Sequence, residues 1–151
     1  MIPSKTTLGA WLYGLGIKKT MVESVDVILA PFQSVSLRFL KTNKKIIYVS
    51  DTTFALLNGY YSDKVASWNE TQGNKIEQVA LDKSRFVVFS SDWAANSAMK
   101  DYGQNPSKIR VLEFGPNIDV AEISSVPPKY DGHLNVLFSG VDWRRQGGIW
   151  L

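Results

Sequence analysis

The sequence contains no cysteine among its 151 residues. This excludes a disulfide framework, a zinc site built from thiolates and a cysteine nucleophile. Histidine is nearly absent as well, because His133 is the only one. A single histidine cannot form a metal-binding cluster, and no Ser-His-Asp set is evident around it. We therefore expect no metal ion and no cofactor.

Long apolar runs and phosphate-binding motifs are also missing. No run reaches the roughly 18 apolar residues that a membrane-spanning helix needs, and no P-loop or G-x-G-x-x-G pattern occurs. The net charge is only +3, and the basic residues are scattered along the chain. A nucleic-acid-binding protein usually concentrates them on one face, so nucleic acid is not an expected partner. Together with the lack of cysteine, this pattern predicts a cytoplasmic protein.

The first 20 residues predict an amphipathic helix. Leu8, Trp11, Leu12 and Leu15 recur at helical spacing, and Lys18 and Lys19 follow them. We expect this helix to pack on the rest of the domain. Peripheral contact with the cytoplasmic face of a membrane is the alternative interpretation.

Five short apolar segments predict buried strands. Each is rich in Val, Ile and Phe, and most lack a clear alternation, which is typical of parallel strands covered on both faces. The segments are 25–32, 45–51, 85–91, 108–115 and 134–141. Helical patterns at 34–42, 71–84 and 92–103 lie between them. This alternation predicts an α/β fold with a mainly parallel sheet and helices on both faces.

The helical patterns predict which residues lie on the apolar face of each helix. Ile76, Val79 and Ala80 share one face of the 71–84 helix, and Glu77 is expected on its solvated side. In the 92–103 helix Ala95, Met99 and Tyr102 form the apolar stripe, and Gly103 is expected to end it.

Ligands of parallel sheets bind beyond the carboxyl ends of the strands. This rule selects residues 50–52, 90–92, 115–117 and 140–148. Asp51 can bind sugar hydroxyls or orient a base, and it can equally cap a helix that begins near Thr53. Ser91 or Asp92 can cap the helix after the third strand, whose first amides also favour an anion or a hydrogen-bonding ligand. Trp93 favours packing over a role as a sugar platform.

The segment 140–148 is the best candidate for an anion site. Its predicted strand ends at Gly140, where backbone can approach a ligand, and Gly147 and Gly148 would open a following helix. Arg144 and Arg145 offer forked donors that match phosphate oxygens. The alternative is a loop with two solvated arginines.

The segment 119–133 has linker composition, with two adjacent serines, two adjacent prolines and an Asp-Gly pair. Only one predicted strand and a glycine turn follow it, and no opening strand with a Gly-rich loop precedes the first helix. We therefore predict a domain at 1–118 that lacks its first strand, a linker at 119–133, and the first strand and turn of a truncated second domain at 134–151.

A resemblance to a known family rests on three segments in a fixed order: FVVFSSDWAANSAMKDYG, KIRVLEFGPNID and LNVLFSGVDWRRQGG. With IIYVSDTTFALLNGYY and NKIEQVAL, they resemble family-4 glycosyltransferases of the GT-B fold over about residues 25–148. The resemblance implies two Rossmann-like domains that face a cleft. The amino-terminal domain takes a sugar or lipid-linked acceptor, and the other binds a nucleotide-diphosphate sugar.

The same resemblance implies roles for named residues. Asp51 would face the cleft as an acceptor-binding or catalytic group, and Ser90, Ser91 and Asn117 would line it. The family's glycine turn binds the donor diphosphate, and here it corresponds to Gly140, Arg144, Arg145, Gln146 and Gly147. The turn departs from the family pattern, because Val141 replaces the usual arginine and Gln146 the usual lysine. The family's E-x7-E motif has no counterpart in the chain.

The sequence thus predicts a fragment of a glycosyltransferase that is inactive by itself, with no metal requirement. A non-catalytic α/β module that binds a nucleotide or a sugar is the first alternative. A nucleic-acid-binding domain is the second, and the scattered lysines argue against it.

Overall fold

The computed structural model describes residues 6–17, 19–58, 60 and 66–115, together with the single residues 132, 133, 139, 143 and 148. The chain divides into two compact units, Met1–Phe114 and Gly115–Leu151. The first unit contains the sheet and the helices described below. The predicted domain limits at 118, 119–133 and 134–151 stay predictions, since most of residues 116–151 lie outside the described part.

Four parallel strands form one sheet in the order β1-β2-β3-β4. Their bounds are Val27–Pro31, Lys45–Ser50, Phe86–Phe89 and Ile109–Val111. The strands consist largely of Val, Ile and Phe, residues that fit a pleated, half-buried surface. The α/β fold class with a parallel, Rossmann-like sheet is confirmed. Every strand is shorter than its predicted segment, and the fifth predicted strand, 134–141, falls almost entirely outside the described residues.

Helices connect and flank the strands. They are α1 (Thr7–Leu15), α2 (Lys19–Glu23), α3 (Ser34–Leu37), α4 (Phe54–Leu57), α5 (Ser67–Lys83) and α6 (Asp92–Tyr102), with a 3-10 turn at Pro106–Lys108. Helix α5 packs on β2, and α6 packs on β3 and β4. Among these helices, none is both long enough and apolar enough to cross a lipid bilayer.

The hydrophobic core lies against one face of the sheet. Along β2, Ile46, Tyr48 and Ser50 are buried, whereas Ile47 and Val49 between them are only half-buried. The same alternation continues in β3. Alanines and a leucine from α5 and α6 pack against the buried face: Ala80, Leu81, Ala94, Ala95 and Ala98. The two faces of the sheet therefore differ in burial more than the unbroken apolar runs indicate.

Helix α1 packs through its small residues and not through its apolar stripe. Ala10 is fully buried in a cluster with Val35 and Ile76, and a Cβ at Gly14 would lie 3.5 Å from Cβ of Phe39. The apolar stripe, Leu8, Trp11, Leu12 and Leu15, stays 49–67% exposed. The prediction that this helix packs on the domain is therefore confirmed, but the contact is made by its small residues while the apolar stripe stays exposed. Small side chains four residues apart let the helix backbone approach α3 closely.

The expectation that Glu77 is solvated is also wrong. Its side chain is 1% exposed, and its carboxylate accepts a 2.9 Å hydrogen bond from the phenol of Tyr48. Gly73 and Leu81, one helical turn to either side of Glu77, are buried too. The buried face of α5 is therefore wider than the Ile76–Val79–Ala80 stripe, and it includes a polar position that a strand residue satisfies.

Helix α3 is shorter than the predicted 34–42 helix, and a lysine binds the carbonyls at and just after its end. The ammonium of Lys83, at the end of α5, donates to the carbonyls of Leu37, Arg38 and Leu40 at 2.9, 3.0 and 2.9 Å. Partial burial, with the nearby Arg38 charge, lowers the pKa of Lys83. This contact joins the two helices where the chain leaves α3 for β2.

The ends of α6 confirm the predicted caps. Ser91 is the N-cap, and its hydroxyl accepts from the amide of Ala94 at 3.4 Å. Gly103 ends the helix in the left-handed conformation, with φ of 62°. Asn105 then starts the predicted return turn by accepting from the amide of Ser107 at 2.8 Å. The cap lies just after the end of β3, and the turn leads into the start of β4.

Candidate functional site at the carboxyl edge of the sheet

Four parallel strands place their carboxyl ends at the same edge of the sheet. Hydrogen bonds that continue the ladders past the strands keep these ends together. Phe32 donates to the carbonyl of Val49 at 2.8 Å, Ser90 to that of Ser50 at 3.3 Å, and Leu112 to that of Phe89 at 2.8 Å. Neighbouring strands lie roughly 4.8 Å apart. Phe32, Asp51 and Ser90 are therefore neighbours in one row.

Asp51 is exposed at the end of β2, and the structure separates it from the capping role considered above. Thr53 is the N-cap of α4, and its hydroxyl accepts from the amide of Leu56 at 3.4 Å. The neighbouring Ser50 is buried and donates to the carbonyl of Thr52 at 2.8 Å. Ser50 thus fixes the turn, and the Asp51 carboxylate faces solvent at the edge where ligands of parallel sheets bind.

Ser90 and Ser91 follow β3 and lie on the side of Asp51 away from Phe32. Both are half-buried. Ser91 is used as the cap of α6, and the Ser90 amide extends the ladder to β2. Asp92 is exposed in the first turn of α6. The structure therefore brings Asp51 and Ser90 together in the row, and Ser91 supports the helix that begins beside them.

A buried network holds α4 against α6 behind this row. The hydroxyls of Thr53 and Ser97 lie 2.7 Å apart, and Ser97 donates to the carboxylate of Asp101 at 2.6 Å. Tyr102 accepts from the amide of Ala55 at 2.9 Å. Burial, with the charge of Glu77, raises the pKa of Tyr102, so its phenol keeps its proton. The turn that carries Asp51 is therefore attached to the helix that follows Ser90.

Two phenylalanines that sequence reasoning missed meet at the same edge. Phe32 follows β1 and Phe114 follows β4. These are the two outermost strands of the sheet, so their carboxyl ends are roughly 14 Å apart. Their ring centroids are nevertheless only 6.1 Å apart, with an interplanar angle of 79°. Since Phe32 is one residue from its strand, the chain after β4 and the two side chains together close most of this separation.

The carboxyl-end rule did not select either phenylalanine, because the predicted first and fourth strands were too long and included both residues. Segment 25–32 included Phe32 in the first strand, and segment 108–115 placed the end of the fourth strand at Gly115. The structure ends these strands at Pro31 and Val111. Applied to the observed ends, the carboxyl-end rule selects Phe32 and residues 112–114.

A second aromatic pair lies at the start of α6. The rings of Trp93 and Tyr60 are 5.6 Å apart and tilted by 55°, and Trp93 borders an open cleft of about 600 Å³ along α6. The prediction favoured packing for Trp93, and the contact with Tyr60 agrees with it. The indole nevertheless stays 42% exposed, so part of its face is open.

The remaining predicted site residues lie outside the described residues. They are Asn117, Gly140, Arg144, Arg145, Gln146 and Gly147. Within the second unit, the amide of Gly148 donates to the carbonyl of Trp143 at 2.8 Å. These two residues flank the predicted anion-binding arginines in the sequence. A Cβ at Gly148 would overlap the indole of Trp143, so this contact requires glycine at that position.

In the part of the chain that the structure describes, no group of three or more His, Asp or Glu side chains is placed to hold a metal ion. Comparison with known proteins adds no assignment: no protein-family model matches the sequence, and no curated protein is significantly similar to it. The site is therefore characterised by its own geometry, which combines an exposed carboxylate, two serines and exposed aromatic rings at the carboxyl edge of a parallel sheet.

Proposed function

We propose that the chain is the acceptor-side part of a GT-B glycosyltransferase, which moves a sugar from a nucleotide-diphosphate sugar to a sugar or lipid-linked acceptor. The observation that supports it best is the exposed carboxylate of Asp51 at the end of β2, beside Ser90, with one aromatic pair after β1 and β4 and another at the start of α6. Carboxylates accept from sugar hydroxyls, and aromatic faces pack on apolar C–H surfaces. This combination fits an acceptor with hydroxyls and apolar faces.

In the proposed reaction, an acceptor hydroxyl oxygen bonds to the anomeric carbon of the donor sugar. The bond from that carbon to the diphosphate oxygen breaks, and the diphosphate leaves with the electron pair. Asp51 would accept the hydrogen bond of the attacking hydroxyl, orient it and take its proton. Ser90, Ser91 and, by resemblance, Asn117 would line the acceptor site.

The donor side of the proposal rests on the resemblance alone. Arg144 and Arg145 would stabilise the charge of the leaving diphosphate, with Gly140, Gln146 and Gly147 shaping the turn around it. The charge on these arginines would serve where other transferases use a metal ion. The 151 residues by themselves are expected to show no sugar transfer, and measurable transfer by the purified chain would contradict this part of the proposal.

The acceptor site can be tested by NMR titration of the ¹⁵N-labelled chain with a panel of simple glycosides and, separately, with uridine diphosphate. Glycosides are expected to shift the amides of Asp51 and residues 90–94, and Asp51→Asn should weaken their binding about tenfold, since a charged acceptor is lost. Asp26→Asn is the matched control. Asp26 is also exposed, but it precedes β1 and therefore lies at the amino ends of the strands.

Two results would count against the proposal. Glycosides that shift no amide at the carboxyl edge would leave Asp51 without an acceptor role. Tight binding of uridine diphosphate at residues 50–52 and 90–94, without glycoside binding, would instead support a non-catalytic nucleotide-binding module.

We further propose peripheral contact between α1 and an anionic membrane, because its apolar stripe is exposed. Leu8, Trp11, Leu12 and Leu15 cover one side of the helix, and residues 1–22 include three lysines and no acidic residue. An exposed apolar stripe with flanking cations favours the surface of an anionic bilayer. Cosedimentation with phosphatidylglycerol vesicles is expected, and Leu8→Ser with Leu12→Ser should abolish it. Equal binding of the double variant would refute the contact.

A further inference from the structure

We infer that Phe32 and Phe114 form a subsite for an alkyl chain of the acceptor, next to the Asp51 carboxylate. This inference rests on the proposed function and narrows its acceptor class to molecules in which an alkyl chain is attached to the sugar. It is carried by the shape of the ring pair, by the backbone at Phe32 and by the distance from Phe32 to Asp51.

The ring pair forms an open apolar corner. Phe32 is 55% and Phe114 48% exposed, and the two rings meet nearly at a right angle. A pyranose can stack its C–H face on one of two perpendicular rings but not on both at once. A narrow alkyl chain can lie along the corner and contact both rings. The phenylalanine side chain has no hydrogen-bonding group, so the corner offers no partner to sugar hydroxyls and suits the apolar part of a neutral ligand.

The backbone of Phe32 gives a second reason to assign the ring a role. Among the described non-glycine residues, Phe32 alone has a positive φ, at 57°. A bulky side chain in the left-handed region costs free energy, whereas glycine adopts it freely. The turn after β1 is held by the bond from the Phe32 amide to the Val49 carbonyl, which glycine could make equally well. The turn itself therefore gives no reason for an aromatic ring.

Pairing between β1 and β2 sets the distance between the apolar corner and the carboxylate. Pro31 is level with Val49, so Phe32 is level with Ser50 and Asp51 is one residue further along. Neighbouring strands are roughly 4.8 Å apart. A single glycoside can therefore place a hydroxyl at Asp51 while its alkyl chain reaches Phe32 and Phe114.

The test compares the octyl and methyl glycosides of glucose, galactose, mannose and N-acetylglucosamine, below the micelle concentration, by NMR titration of the 151-residue chain. At least one octyl glycoside is expected to bind about tenfold more tightly than its methyl counterpart, because apolar area is removed from water. Phe32→Gly and Phe114→Ala should each reduce this ratio to about one. Asp51→Asn should weaken both members of the pair and leave their ratio unchanged.

Matched controls separate the corner from other apolar surfaces. Phe39→Ala removes a ring that is 38% exposed near α1, and it should keep the tenfold ratio. Phe32→Gly suits the local backbone, and dispersed NMR spectra of both ring variants will establish that they fold.

Each outcome decides a different question. If no glycoside binds the wild-type chain, the proposed function and this inference both fail. If methyl glycosides bind in a manner sensitive to Asp51→Asn but octyl chains add nothing, the alkyl subsite alone is refuted. It is equally refuted if the octyl advantage survives both ring variants, or if the ring variants weaken methyl and octyl glycosides alike, as stacking of the sugar itself would require.

Discussion

The phenol of Tyr48 donates a 2.9 Å hydrogen bond to the carboxylate of Glu77 across the core. Tyr48 belongs to β2 and Glu77 to α5, and they are 2% and 1% exposed. A buried carboxylate is costly unless hydrogen bonds compensate for the water it has lost. The pair therefore fixes α5 over the strand whose far end carries Asp51.

Removing the phenol hydroxyl should destabilise the protein. Tyr48→Phe leaves the Glu77 carboxylate with one donor fewer, and we expect the free energy of unfolding to fall by about 1–3 kcal/mol. Urea denaturation of the wild type and the variant measures the difference.

A double-mutant cycle with Glu77→Gln tests whether the two side chains act as a pair. The double variant should lose less than the sum of the single variants, by at least about 0.5 kcal/mol. Tyr13→Phe is the control, because Tyr13 lies on the surface of α1 and is 58% exposed. Strict additivity of Tyr48→Phe and Glu77→Gln would show that the bond contributes nothing to stability.

Alkaline pH should destabilise the fold through its buried phenols. Burial, reinforced by the charge of Glu77, raises the pKa of Tyr48 well above its ordinary value near 10, and the same two causes raise that of Tyr102. Between the ordinary and the raised pKa, the unfolded chain has lost protons that the folded chain still holds. Their contribution is therefore intact below about pH 10. Above it the free energy of unfolding should fall by up to about 1.4 kcal/mol per pH unit for each phenol.

Comparison with Tyr48→Phe isolates one of these phenols. Burial lowers the pKa values of Lys83 and Lys108, which acts in the opposite direction but is common to both proteins. In urea denaturation at pH 9, 10 and 11, the variant should show the shallower loss of stability above pH 10. Parallel curves for the two proteins would mean that Tyr48 ionises as readily in the folded chain as in the unfolded one.

Much of the fold was predictable because its signals are local. Apolar strand segments, Gly103 as the end of α6 and the serine that caps that helix each depend on a few adjacent residues. The errors concern contacts between distant segments. Burial of Glu77 depends on Tyr48, 29 residues earlier, and the docking of α1 depends on α3 and α5. Ala10 and Gly14, four residues apart, were the available sign that α1 packs through its small side.

The candidate site was predictable only in part, because it depends on where strands end. Asp51 and Ser90 were found since β2 and β3 end within two residues of their predicted limits. The prediction extended β1 and β4 by one and four residues, which concealed Phe32 and Phe114. Apolar residues continue past both strand ends, so composition alone gives no boundary there. The left-handed backbone at Phe32 becomes evident only from coordinates.

Two glycines should respond to the same substitution for different physical reasons. A Cβ at Gly73 would overlap the buried ring of Phe54. Gly73→Ala gains up to about 1 kcal/mol of helix propensity, but overpacking costs about 1–3 kcal/mol, and we expect a net loss of stability. At Gly103 a Cβ would meet nothing within 4 Å, but φ is 62°.

Phe54→Ala distinguishes the two glycines. Gly103→Ala should cost about 1 kcal/mol through its backbone conformation alone, in the presence or absence of the Phe54 ring. Gly73→Ala should become neutral or stabilising in the Phe54→Ala background, because the steric conflict is gone and the helix propensity remains. Thermal denaturation of the single and double variants measures both effects. A Gly73→Ala penalty that persists without the Phe54 ring would contradict the packing explanation.

The left-handed backbone at Phe32 should make glycine a more stable replacement for the ring than alanine. Phe32→Ala and Phe32→Gly remove the same exposed ring, but only glycine adopts a φ of 57° without strain. A left-handed conformation costs a residue with a Cβ about 1–2 kcal/mol, and the greater freedom of glycine in the unfolded chain offsets part of this difference. We therefore expect Phe32→Gly to be more stable than Phe32→Ala by about 1 kcal/mol, measured by urea denaturation. Equal stability of the two variants would mean that the turn relaxes around alanine, and the strain argument for the ring would then fail.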